Sequence, residues 1–407
     1  MNVSTYIRLS AMMFLQFFIW GSWFVTMGTF LDNNLQANGA QIGLAYGTQS
    51  WGAILAPFII GLIADRFFNA ERILGVLHLL GGGLMILMYQ TTSFTLFYPY
   101  ILGYMILYMP TLALVNSVAF RQLNDPSKSF SWIRVWGSAG WIIAGLVISY
   151  LSWDAQGAVK EGLLRNTFLL GAASSTLLGL FSFTLPKTPP LIDRSEKVSF
   201  GQIIGLEAIK LLKDRNFAIF FLSSVLISIP LAFYYSNTNL FLVELNVENS
   251  AGKMAMGQAS EVGFMLLLPI FLRQYGVKKT LLVGMMAWAL RYVLFAYSNE
   301  GSFVFMILLG IGLHGVCYDF FFVSGQIYTD SKAGEQYKSA AQGMITLATY
   351  GVGMLIGYWA AGKITDQYVT EPGHDWPAIW VIPAGFALTV FFLFAIAFKN
   401  EKVKYPG

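Results

Sequence analysis

Twelve stretches of roughly twenty mainly apolar residues follow one another along this chain, each long enough to cross about 30 Å of hydrocarbon as a helix. No other feature restricts the fold so strongly. In lipid every backbone N–H and C=O must find its partner inside the protein, which leaves such runs only the helix. They lie near residues 10–31, 40–63, 73–91, 94–120, 131–152 and 164–185, and then near 216–243, 255–273, 279–297, 302–329, 339–365 and 377–398. Composition agrees: 56% of the 407 residues are hydrophobic and 11% charged, against roughly 25% charged in soluble domains. The first run carries bulky Trp20 and Trp23 and no small-residue cleavage site, so it reads as a span rather than a signal peptide.

The runs fall into six plus six. Between the sets the chain turns polar, with Lys187, Asp193, Arg194, Glu196, Lys197, Lys210, Lys213, Asp214 and Arg215. The expected organisation is an N-terminal six-helix bundle over 1–185, a cytoplasmic linker over 186–215 with a short surface helix near 200–212, and a C-terminal six-helix bundle over 216–407. With both ends of the chain in the cytoplasm, the inner segments hold Arg8, Arg66, Arg72, Arg121, Lys128, the linker cluster, Arg273, Lys278, Lys279, Lys332, Lys338, Lys399, Lys402 and Lys404. The outer ones keep only Lys160, Arg165, Lys253 and Lys363, which satisfies the positive-inside rule.

A charged tight loop recurs at the same place in each half. Gly61-Leu-Ile-Ala-Asp65-Arg66 follows the second span, and Arg273, Gly276, Lys278 and Lys279 follow the eighth. The first of these resembles the loop signature of the major facilitator superfamily, Gly-x-x-x-Asp-Arg, with Phe68 in place of the usual glycine. Joined to the span count, linker and charge bias, it gives the fold class: an all-α membrane protein of twelve transmembrane helices in two halves.

The informative residues are the polar ones inside the spans, since an ionisable group near the bilayer centre costs about 2.5–3.5 kcal/mol on insertion scales and usually faces a cavity. Glu261, in the eighth span, is such a group, read against the alternative of a carboxylate neutralised only for packing. In the tenth span His314 and Tyr318 are four apart and share a face, with Cys317 and Asp319 beside them; Asp319 is alternatively a structural acid bracing neighbouring helices. Arg134 opens the fifth span, where it either snorkels to the surface or faces inward. Arg291, beside Trp288 and Tyr292, has the same two readings and stays outside the candidate set. His78 reads as a packed, satisfied histidine. Gln16, Trp20 and Trp23 form one stripe on the first span, either helix packing or a cavity wall. The seventh span carries Pro230 and the polar aromatic run Phe233-Tyr234-Tyr235-Ser236-Asn237-Thr238-Asn239, with a kink and an inward Tyr235 expected.

Phe14-Leu-Gln16-Phe, Trp20-Gly-Ser-Trp23, Tyr108-Met-Pro110-Thr-Leu, Ile133-Arg134-Val-Trp136-Gly137, Ser260-Glu261, Trp288-Ala-Leu-Arg291, Asp319-Phe-Phe and Ser339-Ala-Ala-Gln342-Gly-Met344 together resemble the nucleoside:proton symporter family of bacterial inner-membrane permeases, over nearly the whole chain. The resemblance implies proton-driven nucleoside uptake by a monomer with a substrate site drawn from both halves. It points to Arg134, Ser138 and Trp141, to Gln258 and Glu261, and to His314, Tyr318 and Asp319; Tyr235 joins them from the seventh span. Ala232 and Tyr235 stand where the family is expected to have side-chain amides, and His314 where it has a tyrosine, so substrate range and pH response are expected to differ.

The chemistry fits. Nucleosides are neutral, flat and rich in hydroxyls, so ring faces and hydrogen bonds hold them without strong charge. Uphill movement then needs a coupling site, for which Glu261 and Asp319 are the candidates. The nearest rival is a proton-coupled sugar or oligosaccharide symporter of the same fold. A multidrug exporter would keep the loop signature more completely. An embedded enzyme is disfavoured by three histidines with no His-x-x-x-His pair and a single cysteine, and a receptor would leave Glu261 and Asp319 without a purpose. No cofactor, metal or nucleic acid is expected; the partners are substrate, protons and lipid.

Overall fold

The computed structural model describes residues 3–59, 68–123, 126–190 and 206–401. The loop signature at Gly61, Asp65 and Arg66, the linker residues Asp193, Arg194, Glu196, Lys197 and Phe200, and Lys402 and Lys404 lie outside the described residues. Among those described, nine helices are long and apolar enough to cross a membrane. One of them, Ser250–Ala296, is two spans joined at Gly276, whose φ of 74° breaks the helix. Adding Gly39–Ile59 and the 17-residue Asn166–Ser182 completes twelve.

The chain divides into two compact units: Met1–Val198 with Glu248–Ala255, and Ser199–Val247 with Met256–Gly407. In the first unit the spans are Val3–Gly21 continued by Met27–Leu35, then Gly39–Ile59, Ala70–Gln90, Phe94–Gln122, Pro126–Tyr150 and Asn166–Ser182. The sequence predicts one helix over 10–31 for the first span. It loosens over 22–26, where Ser22 Oγ donates to the Ile19 carbonyl (2.8 Å) and Thr26 Oγ1 to that of Trp23 (3.1 Å), competing with the backbone ladder. The first and fifth spans touch backbone to backbone. A Cβ on Gly140 would sit 2.2 Å from the Phe14 carbonyl oxygen, so only glycine fits there.

The second unit holds Arg215–Glu244, the eighth and ninth spans of Ser250–Ala296 from Met256 onward, the tenth span, the eleventh over Ala340–Gln367, and Trp376–Ala397. The tenth span is not one regular helix. Val304–Gly312 stops at Leu313 (ψ −6°), His314–Tyr318 resumes, and Asp319–Val323 is a single π-helical turn, the kind of irregularity that collects at functional sites. The seventh span runs as a continuous 30-residue helix through Pro230. Its polar run is partly structural: Ser236 donates to Asn237 Oδ1 (2.9 Å) and Asn237 Nδ2 to Thr365 Oγ1 of the eleventh span (2.9 Å). Of the short surface helix expected near 200–212, the described residues show a 3-10 helix, Leu206–Lys213.

One end of the second unit is fastened by charge. Lys332 Nζ lies 2.9 Å from Asp214 Oδ2 and 2.9 Å from Glu401 Oε2, while Asn216 Nδ2 donates to Glu401 Oε1 at 2.7 Å. Burial alone would raise the Asp214 carboxyl, but the Phe217 N–H and the Lys332 ammonium outweigh it and hold the group below its ordinary 3.8. A depressed carboxylate contributes stability above its unfolded pKa and loses that contribution as pH falls through the folded one. Lys332→Met is therefore expected to lower the thermal midpoint at pH 7, by an amount that shrinks below about pH 4. An equal deficit at pH 7 and pH 3 in a detergent melt would contradict this.

Candidate functional site

In the first unit Arg134, Ser138 and Trp141 follow one another at i, i+4 and i+7 and so share a face of the fifth span. Trp132, Val135 and Trp136 are exposed on other sides of that helix, the placement expected of lipid-facing residues. The Arg134 guanidinium lies over the Phe17 ring, 4.1 Å from its centroid, held by cation–π attraction against the first span. Trp141 packs edge-on to Trp20 (5.4 Å between ring centroids), and Trp20 packs edge-on to Tyr108 (5.7 Å).

The stripe on the first span divides by role. Trp20 joins the ring cluster around Trp141, whereas Trp23 is buried against Tyr104 and Phe168 and serves packing. Gln16 is buried in a polar brace. Its Nε2 donates to Thr111 Oγ1 (2.7 Å), its Oε1 faces His78 Nε2 (2.8 Å), and the other His78 nitrogen meets Ser175 Oγ (3.1 Å). His78 is thus a histidine satisfied on both sides, as the sequence suggests.

The second unit assembles most of its candidates at one place. His314 lies face to face with Tyr234 (5.1 Å, 23°) and with Tyr318 (5.9 Å, 24°), while Tyr235 meets it edge-on at 6.4 Å. Tyr235 is half-buried, Tyr234 fully buried. The edge of the imidazole points at hydrogen-bonding groups: His314 Nε2 is 3.3 Å from Gln258 Nε2 and 3.9 Å from Glu261 Oε2. The Tyr318 hydroxyl bonds that of Tyr350, which brings in the eleventh span. Ring faces therefore flank a short row of amide, imidazole and carboxylate groups, a surface suited to a flat polar molecule.

A close approach fixes that row in place. Gly315 meets the eighth span so tightly that a Cβ there would lie 2.6 Å from the Ser260 carbonyl carbon and oxygen and 2.7 Å from the Glu261 nitrogen. Its own N–H donates to Ser260 Oγ at 3.0 Å. The backbone carrying Glu261 is thus pinned to the turn carrying His314.

Asp319 does not join the row. It opens the π-helical turn fully buried, and among the described residues neither carboxyl oxygen has a hydrogen-bond partner. It braces nothing that is described, contrary to the structural alternative. Arg291, outside the candidate set in sequence, is also fully buried. It packs its guanidinium on Tyr234 (4.1 Å) and Trp288 (5.0 Å). Flanking aromatics were its only signal, and a sequence does not reveal which of Tyr234 and Tyr235 it would choose.

Among the described residues no cluster of three His, Cys, Asp or Glu side chains could hold a metal ion. Glu371 and His374 have Glu-x-x-His spacing but sit on a two-stranded hairpin connection rather than a helix, and His374 Nδ1 pairs instead with Glu244 Oε1 at 2.7 Å.

The chain as a whole resembles known proteins. The protein YegT of Escherichia coli (strain K12) is 41% identical, the match covering 98% of this chain and 95% of that one. The nucleoside permease NupG of the same organism is 31% identical over 98% of this chain and 97% of its own. A crystal structure of the nucleoside transporter NupG superposes with a TM-score of 0.87 at 31% identity, covering 98% of this chain and 100% of the other. The model of one family, described as nucleoside H+ symporter, matches residues 1–403. With that match and these relatives, the chain belongs to the nucleoside H+ symporter family and has its twelve-helix major facilitator fold.

Proposed function

We infer that this protein imports nucleosides together with protons by alternating access. The observation that carries the reading is the ring-walled row of the second unit, where Tyr234, Tyr318 and Tyr235 surround His314 and its edge faces Gln258 and Glu261. A nucleobase stacks on such rings, and its amides, carbonyls and ribose hydroxyls exchange hydrogen bonds with the row. In this proposal Tyr235, Gln258, Glu261, His314 and Tyr318 contact substrate from the second half, and Arg134, Ser138 and Trp141 from the first. Their shared helix face and the Arg134–Phe17 contact support the latter three.

Glu261 and Asp319 form the proposed coupling site. Glu261 stands next to the substrate groups, so its charge is felt there. Asp319 has neither a cation nor a hydrogen-bond donor among the described residues, and a proton is the smallest species that neutralises it. The protein works as a monomer in a bacterial inner membrane, with both ends of the chain on the cytoplasmic side. Support for that orientation is the concentration of Lys and Arg in the segments assigned there.

The test is uptake of labelled uridine and adenosine into proteoliposomes with and without an inward proton gradient, challenged by excess nucleosides or free sugars. Accumulation that needs the gradient, yields to nucleosides and ignores sugars is the expected result. Competition by sugars with no nucleoside uptake would replace this reading by the sugar symporter of the same fold.

A further inference from the structure

The tenth span is interrupted beside the proposed substrate row, and two neighbouring spans hold the interruption from opposite sides. On one side stands Arg291 of the ninth span. Its Nε donates to the Gly310 carbonyl at 2.8 Å, and Nη2 approaches that of Ile311 at 3.5 Å. On the other side Ser260 of the eighth span accepts the Gly315 N–H at 3.0 Å. Leu313, with ψ −6°, lies between. Helix ends leave carbonyls and amides short of intrahelical partners, and a cation at the carbonyl end matches the helix dipole.

The arginine does more than fill hydrogen bonds. Its planar head covers Tyr234 at 4.1 Å, and Tyr234 in turn stacks on His314, the first residue after the break. One side chain therefore holds both the broken turn and the ring column that the turn displays. A fully buried arginine is costly in a membrane, and Nη1 has no partner among the described residues. A fold that tolerates such a group gains something specific from its planar fork.

We propose that Arg291, with Ser260 opposite it, is a positioning residue that clamps the broken turn of the tenth span and so sets where His314 stands relative to Gln258 and Glu261. The inference rests on the proposed function only for what the turn displays; the clamp is a property of the second unit by itself. Because Ser260 precedes Glu261, any movement of the eighth span reaches the break directly, and the clamp ties the carboxylate to the turn.

The chain supplies its own reporter. Cys317 is the single cysteine, is fully buried, and lies between the break and the π-helical turn. The full-length protein, wild type and the variants Arg291→Met, Arg291→Lys and Ser260→Ala, is purified and exposed to N-ethylmaleimide without substrate. Arg291→Met is expected to raise the labelling rate of Cys317 about tenfold through local opening, and Ser260→Ala is expected to raise it less. Arg291→Lys, which keeps the charge and a donor for Gly310, is expected to stay within about threefold of wild type. In uptake assays Ser260→Ala raises KM for uridine with little change in Vmax, because position rather than chemistry is disturbed.

Wild-type labelling rates in both Arg291→Met and Ser260→Ala would overturn the proposal. So would an Arg291→Lys protein that labels as fast as Arg291→Met. If Arg291→Met does not yield folded protein, Ser260→Ala decides alone. Uridine binding to the wild type, measured in parallel, tests the functional reading separately: its absence sinks that reading and leaves the labelling comparison intact.

Discussion

Glu261→Gln is expected to transport uridine without concentrating it. Glutamine keeps nearly the shape of the carboxylic acid and can still hydrogen-bond to a nucleoside, so the row of Gln258, His314 and residue 261 remains a binding surface. What it loses is the ability to gain and release a proton. For each coupled proton, a gradient of one pH unit is worth about 1.4 kcal/mol and sustains about tenfold accumulation. The variant should bring internal and external uridine only to a ratio of about one, while exchange of internal for external uridine continues at a rate near wild type. Accumulation to the wild-type level in proteoliposomes would remove Glu261 from the coupling site.

A second large effect is expected from the smallest possible change. Gly315→Ala places a methyl group within 2.6–2.7 Å of the Ser260 and Glu261 backbone, where no side chain can swing aside. Overpacking of this kind typically costs about 1–3 kcal/mol, and here the strain falls on the contact that fixes Glu261 against the His314 turn. Uptake should fall by about tenfold or more, the factor that 1.4 kcal/mol represents, together with a lower thermal midpoint. Gly263→Ala is the matched control: it lies two residues from Glu261 on the same helix, and a Cβ there meets nothing within 4 Å. It should retain wild-type uptake and stability. If Gly315→Ala transports as well as Gly263→Ala, the close approach does not position the site.

Much of this was legible in the sequence because lipid imposes a strict rule on it. Backbone groups must be satisfied within each apolar run, so the number and order of spans follow from hydropathy and the charges between them. Glu261, His314 and Tyr318 were legible for the complementary reason: polar groups at membrane depth are costly and stand out. The irregularities were not. Whether the first span loosens at 22–26 depends on Ser22 and Thr26 turning their hydroxyls to the backbone, a choice that the residue types permit without requiring.

Gly310, Gly312 and Gly315 weaken the helix around Leu313, but the partners that hold the break, Arg291 and Ser260, lie on other spans and are not legible from that stretch. The two tyrosines at 234 and 235 differ only in which helix face they occupy once the seventh span is packed. That packing puts Tyr234 between Arg291 and His314 and leaves Tyr235 half-buried at the ring edge. Asp319 is the sharpest case. It stands five residues from His314, off the face that His314 and Tyr318 share, and the sequence does not reveal that its carboxyl is buried with no hydrogen-bond partner among the described residues.

The account turns on movement of protons with nucleoside, and the most direct measurement is proton flux itself. Proteoliposomes holding this protein and a trapped pH dye, with no gradient imposed and membrane potential clamped, receive external uridine. The interior should acidify at a rate that follows uridine entry, and Glu261→Gln should abolish the acidification. Uridine entry at the normal rate with no change in internal pH would contradict the account.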